Sequence, residues 1–147
     1  MCKSPIVIIG AGPSGLMAAQ HLAQNGFDVH IYEQNKAAAR KFLVAGHGGF
    51  NLTHNEPIEL FVNRYDKSIL HLIIQNFDNK ATINWLQDLG IETYVGSSGK
   101  IFPVKTIKPI QVLNAWLNRL NSLGVKIFYE HKFVDFNDKT VEIEERG

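Results

Sequence analysis

Six residues near the start carry the clearest chemical signal. Gly10-Ala11-Gly12-Pro13-Ser14-Gly15 has the spacing G-x-G-x-x-G, directly after the apolar run Ile6-Val7-Ile8-Ile9. In that context each glycine has a task in binding a dinucleotide. Gly10 permits a tight turn, Gly12 lets backbone approach a pyrophosphate, and Gly15 lets a following helix press on the strand. Pro13 precedes that helix and Ser14 opens it, and its first N–H groups and positive dipole end would face the phosphates. Eighteen residues after Gly15 stands Glu33. A carboxylate there could accept hydrogen bonds from both ribose hydroxyls of an adenosine, and it repels a 2′-phosphate, which argues against NADP.

A second group follows. Arg40 and Lys41 come soon after the acid, then a glycine-rich stretch with Gly46, Gly48 and Gly49, ending in Asn51. Two cations could lie along an extended FAD pyrophosphate. The glycines would let backbone pass close to a flavin or its ribityl chain. A solvated basic pair is the bland alternative. The glycine fingerprint alone does not choose FAD over NAD.

The elements that must position these residues are legible from period and punctuation. Ile6–Ile9 reads as a buried parallel strand. Ser14 to Asn25 reads as a helix with Gly15, Ala18, Ala19 and Leu22 on one face, stopped by Gly26. Asp28 to Glu33 reads as a second strand, completing a right-handed βαβ unit over residues 1–35. Residues 36–55 show no steady period and read as a functional loop. Helices follow from Ile58, from Ile69 to Phe77 and from Asn79 to Leu89, the last capped by Asp78. Ile91 to Val95 and Lys100 to Phe102 form a hairpin across Gly96-Ser97-Ser98-Gly99, ended by Pro103. Pro109 to Leu123 is a helix with an apolar stripe that includes Val112, Trp116 and Leu120. Val125 to Tyr129 is a third core strand. Lys132 to Phe136 and Thr140 to Glu144 make a ribbon.

Two blocks make the chain recognisable. Arg40-Lys41-Phe42-Leu43 through Gly46, Gly48, Asn51 and Thr53, together with Gly96-Ser97-Ser98-Gly99-Lys100-Ile101-Phe102-Pro103, resembles the BaiN/YhiN-like FAD-dependent oxidoreductases. The similarity starts at Ile6 and runs at least to Trp116. It implies an α/β, Rossmann-like FAD/NAD(P)-binding domain of the glutathione-reductase type. It implies that Gly10, Gly12, Gly15, Glu33, Arg40 and Lys41 contact FAD, with Gly46, Gly48 and Asn51 near the flavin end. Val134, after the third core strand, is the implied backbone contact for adenine. The chain departs from the family at Ala39, where many relatives have Gly, and at Lys100, where many have Arg. Gly49-Phe50 replaces an Arg-Cys pair, so no cysteine redox step is carried over.

Composition sets the exclusions. The chain has 147 residues, 45% hydrophobic and 20% charged, which is globular composition. Fifteen Lys and Arg against fourteen Asp and Glu give a net charge of +1, so there is no bulk electrostatic case for nucleic acid or a membrane surface. One cysteine, Cys2, excludes an internal disulfide. The six histidines form neither H-x-H nor H-E-x-x-H, so no metal site is expected. His47 and His54 flank the suspected flavin loop as possible acids, bases or phosphate contacts. No residue is singled out as a catalytic acid or base. The cysteine poverty and the lack of an export signal point to the cytoplasm.

The expectation is an FAD-binding flavoprotein of unknown substrate, transferring hydride through flavin N5. NAD(P)H as reductant is implied by the resemblance alone. Residues 36–104 would hold the flavin loop, helical insert and hairpin, and residues 105–147 a helix, core strand and ribbon. The motifs occupy the front of a longer architecture, so the chain is expected to be incomplete. An inactive fragment, a nucleotide-binding half completed by a second polypeptide, and a plain NAD-binding module remain as alternatives. An open sheet edge would call for that polypeptide.

Overall fold

A computed structural model describes residues 4–44, 50–66, 68–137 and 140–146. They divide into two compact units, Met1–Ala45 with Trp116–Gly147, and Gly46–Ala115.

In the first unit, β1 (Ile6–Ile9), α1 (Pro13–Gln24) and β2 (Val29–Glu33) form the expected βαβ unit, with β1 and β2 parallel. The short α2 (Arg40–Val44) follows β2 in the chain. The third core strand, numbered β6 below in chain order, is Lys126–Tyr129 and lies parallel on the far side of β2, so the sheet order is β1-β2-β6. Strand period 2 sorts β2 by face. Val29, Ile31 and Glu33 are buried, while His30 and Tyr32 face the other way. Tyr32 stacks on Phe128 of β6 with centroids 4.8 Å apart.

The inner face of α1 differs from the one expected. Leu16, Ala19 and Gln20 are buried, and Ala18 is exposed. The buried face is shifted by about one residue and takes in Gln20. Its Oε1 accepts the indole N–H of Trp116 over 2.9 Å. A polar residue on the buried stripe breaks the apolar pattern from which the face was read. The hydrogen bond offsets the cost of burying its amide.

The second unit holds β3 (Thr53–His54), α3 (Ile58–Val62), α4 (Ser68–Asn76), α5 (Asn79–Asp88), β4 (Thr93–Val95) and β5 (Lys100–Pro103). Asp78 caps α5 as expected, its carboxylate accepting the Ala81 N–H over 2.7 Å. The hairpin β4–β5 is present and takes in Pro103. It gains an unforeseen third strand, because β3, expected as loop, pairs with β5. Two residues are too few to show a strand period. On α4, Ile69, Leu72 and Ile73 are 62%, 61% and 60% exposed.

The helix α6 (Pro109–Ser122) has its first half in the second unit and its second half in the first. Val112, Leu113, Trp116 and Leu120 are buried along it. The chain closes with the antiparallel ribbon β7 (His131–Phe136) and β8 (Val141–Glu145). Of its turn, residues 138–139 lie outside the described residues. No helix among the described residues is long and apolar enough to cross a membrane.

Candidate functional site

The glycine loop links β1 to α1, and its three glycines are there for different reasons. Gly10 has φ +95°, a conformation that side chains disfavour. A Cβ on Gly15 would collide with the Gly10 carbonyl, with Ile8 next in line. Gly12 has an ordinary extended φ of −75°, and a Cβ there would meet nothing within 4 Å. Backbone conformation therefore accounts for glycine at 10 and packing for glycine at 15, but neither accounts for it at 12. At Gly12 the missing side chain leaves open space at the mouth of the helix. No side chain caps α1, Pro13 fills its first turn, and no acid sits there. That is an N-terminus left open for an anion.

Beside it lies a groove of about 490 Å³ lined by Gly12, Pro13, Glu33, Gln34, Asn35, Ala37, Ala39, Arg40 and Lys41. Its size is that of a small-molecule site. Arg40 and Lys41 are exposed at the start of α2. Both stand on the segment that Ala39 ties to the glycine loop, its N–H donating to the Ala11 carbonyl over 2.9 Å. Ala39 holds φ +50°. So the position where many members of the resembling family have glycine is a left-handed one here, and this chain fills it with a residue that is strained there.

Glu33 is 8% exposed, because it continues the buried face of β2. Its Oε2 accepts the Ala11 N–H over 2.8 Å. Its Oε1 accepts the Asn35 backbone N–H over 2.8 Å and Asn35 Nδ2 over 2.5 Å. Burial pushes its pKa up. The bonds from Ala11 and Asn35 outweigh that and hold the carboxyl below its ordinary value. Burial, and then the Glu33 charge, push the phenol of Tyr129 up in pKa. The expectation of an acid open to both ribose hydroxyls is thus narrowed, because three acceptor positions are taken by the chain itself. Asn35 was missed. The signal was available, since an Asn two residues beyond a strand-end acid is well placed to reach back to it.

The structure thus brings Gly12, Pro13, Glu33, Arg40 and Lys41 together in one groove. Ser14 and Gly15 occupy the first turn of α1 behind it. Gly10 lines an adjoining cavity of about 230 Å³ with Tyr32, Glu33 and Phe133. Val134 is 48% exposed in β7, at a register shift where it has no partner across the ribbon, and it lines neither cavity. Asn51 is exposed and belongs to the second unit. Gly46, His47, Gly48 and Gly49 lie outside the described residues.

The hairpin block of the second unit has a local explanation. Gly99 has φ +77°, and a Cβ there would lie 2.7 Å from the ring of His54. His54 Nε2 lies 3.0 Å from the Ser98 carbonyl, and its Nδ1 lies 3.5 Å from Glu56 Oε1. Arg64 in turn pairs with Glu56 at 2.7 Å. These contacts fasten the hairpin, so His54 has a structural task. Among the described residues no three potential metal ligands cluster.

Comparison with known proteins agrees with the Rossmann fold. The profile of the HI0933-like protein Rossmann domain matches residues 4–146. A ribosomal RNA dihydrouridine synthase of Haemophilus influenzae is 28% identical over 96 residues, which is 65% of this chain and 24% of that protein. The chain thus spans about a quarter of that curated relative. A flavocytochrome c3 fumarate reductase superposes with a TM-score of 0.65 at 14% identity, covering 97% of this chain and 30% of that one. Glycine oxidase of Bacillus cereus superposes at 0.54 with 17% identity, covering 97% and 52%. At such identities the two structures show a shared fold.

Proposed function

Because the chain belongs to the HI0933-like Rossmann-domain family, that of the BaiN/YhiN-like FAD-dependent oxidoreductases, we propose that it binds the ADP half of FAD in the groove beside Gly12. The observation that carries this reading is the open space at Gly12 before an uncapped helix, where packing within the chain gives no reason for glycine. A pyrophosphate fits that space. The Ser14 and Gly15 amides would face it, and Arg40 and Lys41 would balance its charge. Glu33 would meet the ribose. Gly46, Gly48, Asn51 and Val134 extend the proposed contacts toward the flavin and the adenine. When bound, FAD supplies hydride transfer at its N5 atom. The protein's share is to bind, orient and exclude water. NAD(P)H as reductant rests on the family resemblance alone, and the groove assigns no substrate. The single cysteine favours a reducing, cytoplasmic setting.

The test is direct. The purified chain should keep visible flavin absorption through gel filtration, or regain it with added FAD. A chain that stays colourless, and takes up NADH but no FAD, would overturn the reading in favour of an NAD module.

One observation favours a further element of the proposal, a second polypeptide that completes the sheet. Among the described residues β1 has a neighbour on one side only, yet its sequence is apolar throughout, as in an interior strand. The Ile6 amide donates to the Asp28 carbonyl just before β2, and the Gly10 amide to the Tyr32 carbonyl within it. By alternation, Val7 and Ile9 turn their N–H and C=O groups to the open edge. A strand from the partner would pair there.

A further inference from the structure

Resting on the nucleotide reading above, we propose that Asn35 is a specificity-determining residue of the groove, restricting Glu33 to a single ribose hydroxyl. An ionised carboxylate has about four acceptor positions, two on each oxygen. Asn35 fills both positions on Oε1, one with its backbone N–H at 2.8 Å and one with Nδ2 at 2.5 Å. The Ala11 N–H takes one position on Oε2 at 2.8 Å. One position remains for the ligand. The carboxylate lies among groove-lining residues, and so does Asn35. The Asn35 carbonyl also accepts the Glu130 N–H over 3.2 Å, which fixes the segment that carries the side chain. Asn35 acts through Glu33, so it is a positioning residue. Its consequence is chemical: adenosine is held by one hydroxyl, and the other is left to water.

Binding of ADP, 2′-deoxy-ADP and 3′-deoxy-ADP to the full chain tests this by calorimetry. One analogue should bind about tenfold more weakly than ADP, the loss of one hydrogen bond to a charged acceptor, and the other should bind like ADP. Asn35→Ala removes Nδ2 and frees one position on Oε1. In that variant both analogues should lose about tenfold relative to ADP. The acid-side loss of ADP binding should also move to higher pH, because Glu33 loses a donor that keeps it ionised. Wild-type chain that penalises both analogues equally, or neither, overturns the proposal whether or not the variant folds. So does a variant with an unchanged analogue pattern and pH profile. If ADP does not bind at all, the nucleotide reading falls as well. If ADP binds, and Glu33→Gln weakens it while the two analogues behave alike, only the role of Asn35 falls.

Discussion

The Ala11 amide donates to Glu33 Oε2 across 2.8 Å, so the acid at the end of β2 holds the glycine loop at the end of β1. A residue read as a ligand contact is therefore also a structural anchor. Glu33→Ala would leave the buried Ala11 N–H without this partner, and a loss of about 1–3 kcal/mol is expected in denaturant unfolding. A loss well below that range would mean the loop is held by other contacts.

The same anchor predicts a pH dependence. The folded-state pKa of Glu33 lies below its ordinary value. Its contribution to stability is then full above the ordinary carboxylate range and is lost as pH falls through the lower folded value. Wild-type chain should lose stability on acidification more steeply than Glu33→Gln, which has no charge to lose. Parallel acid unfolding profiles would contradict the assignment.

Substitution at two of the glycines should separate folding from binding. Gly15→Ala drives a methyl into the Gly10 carbonyl, and overpacking of this kind costs about 1–3 kcal/mol. Gly12→Ala meets open space and should cost about 1 kcal/mol or less, from the poorer helix cap. It should nonetheless abolish measurable FAD uptake. Equal uptake by wild type and Gly12→Ala would remove the pyrophosphate from that position.

Ala39 offers a stabilising change. Its φ of +50° strains any residue with a Cβ by about 1–2 kcal/mol, while glycine gives back roughly 0.5–1 kcal/mol through its freer unfolded chain. Ala39→Gly should therefore raise stability by about 0.5–1 kcal/mol, read as a higher Tm. A lower Tm would show that the methyl earns its place by packing, since Ala39 is 5% exposed.

The open edge of β1 can be probed with proline. Val7→Pro removes an amide that β2 does not use and should leave the circular dichroism spectrum unchanged. Ile8→Pro removes one that β2 does use and should unfold the sheet. Similar damage from both would show that the Val7 amide is already engaged within the chain.

Much of the fold was legible because its signals are local. The run Ile6–Ile9, the glycine loop and the stop at Gly26 each declare themselves within a few residues, and the Asp78 cap does the same. What escaped depends on distant partners. Gln20 is buried because of Trp116, 96 positions away, and β3 exists only because β5 is there to pair with it. In the site, the residue types at 12, 33, 40 and 41 were readable. The orientation of the Glu33 carboxylate was not, since it depends on which donors compete for its oxygens. The left-handed backbone at Ala39 was likewise hidden behind an unremarkable alanine.

The Ala11 peptide is gripped at both ends, its N–H by Glu33 and its C=O by the Ala39 amide. The loop is therefore already shaped before any ligand arrives. The entropy of ordering it is spent during folding and is not subtracted from the affinity. Amide hydrogen exchange at Ala11 should then be slow before any nucleotide is added, and nucleotide should slow it little further.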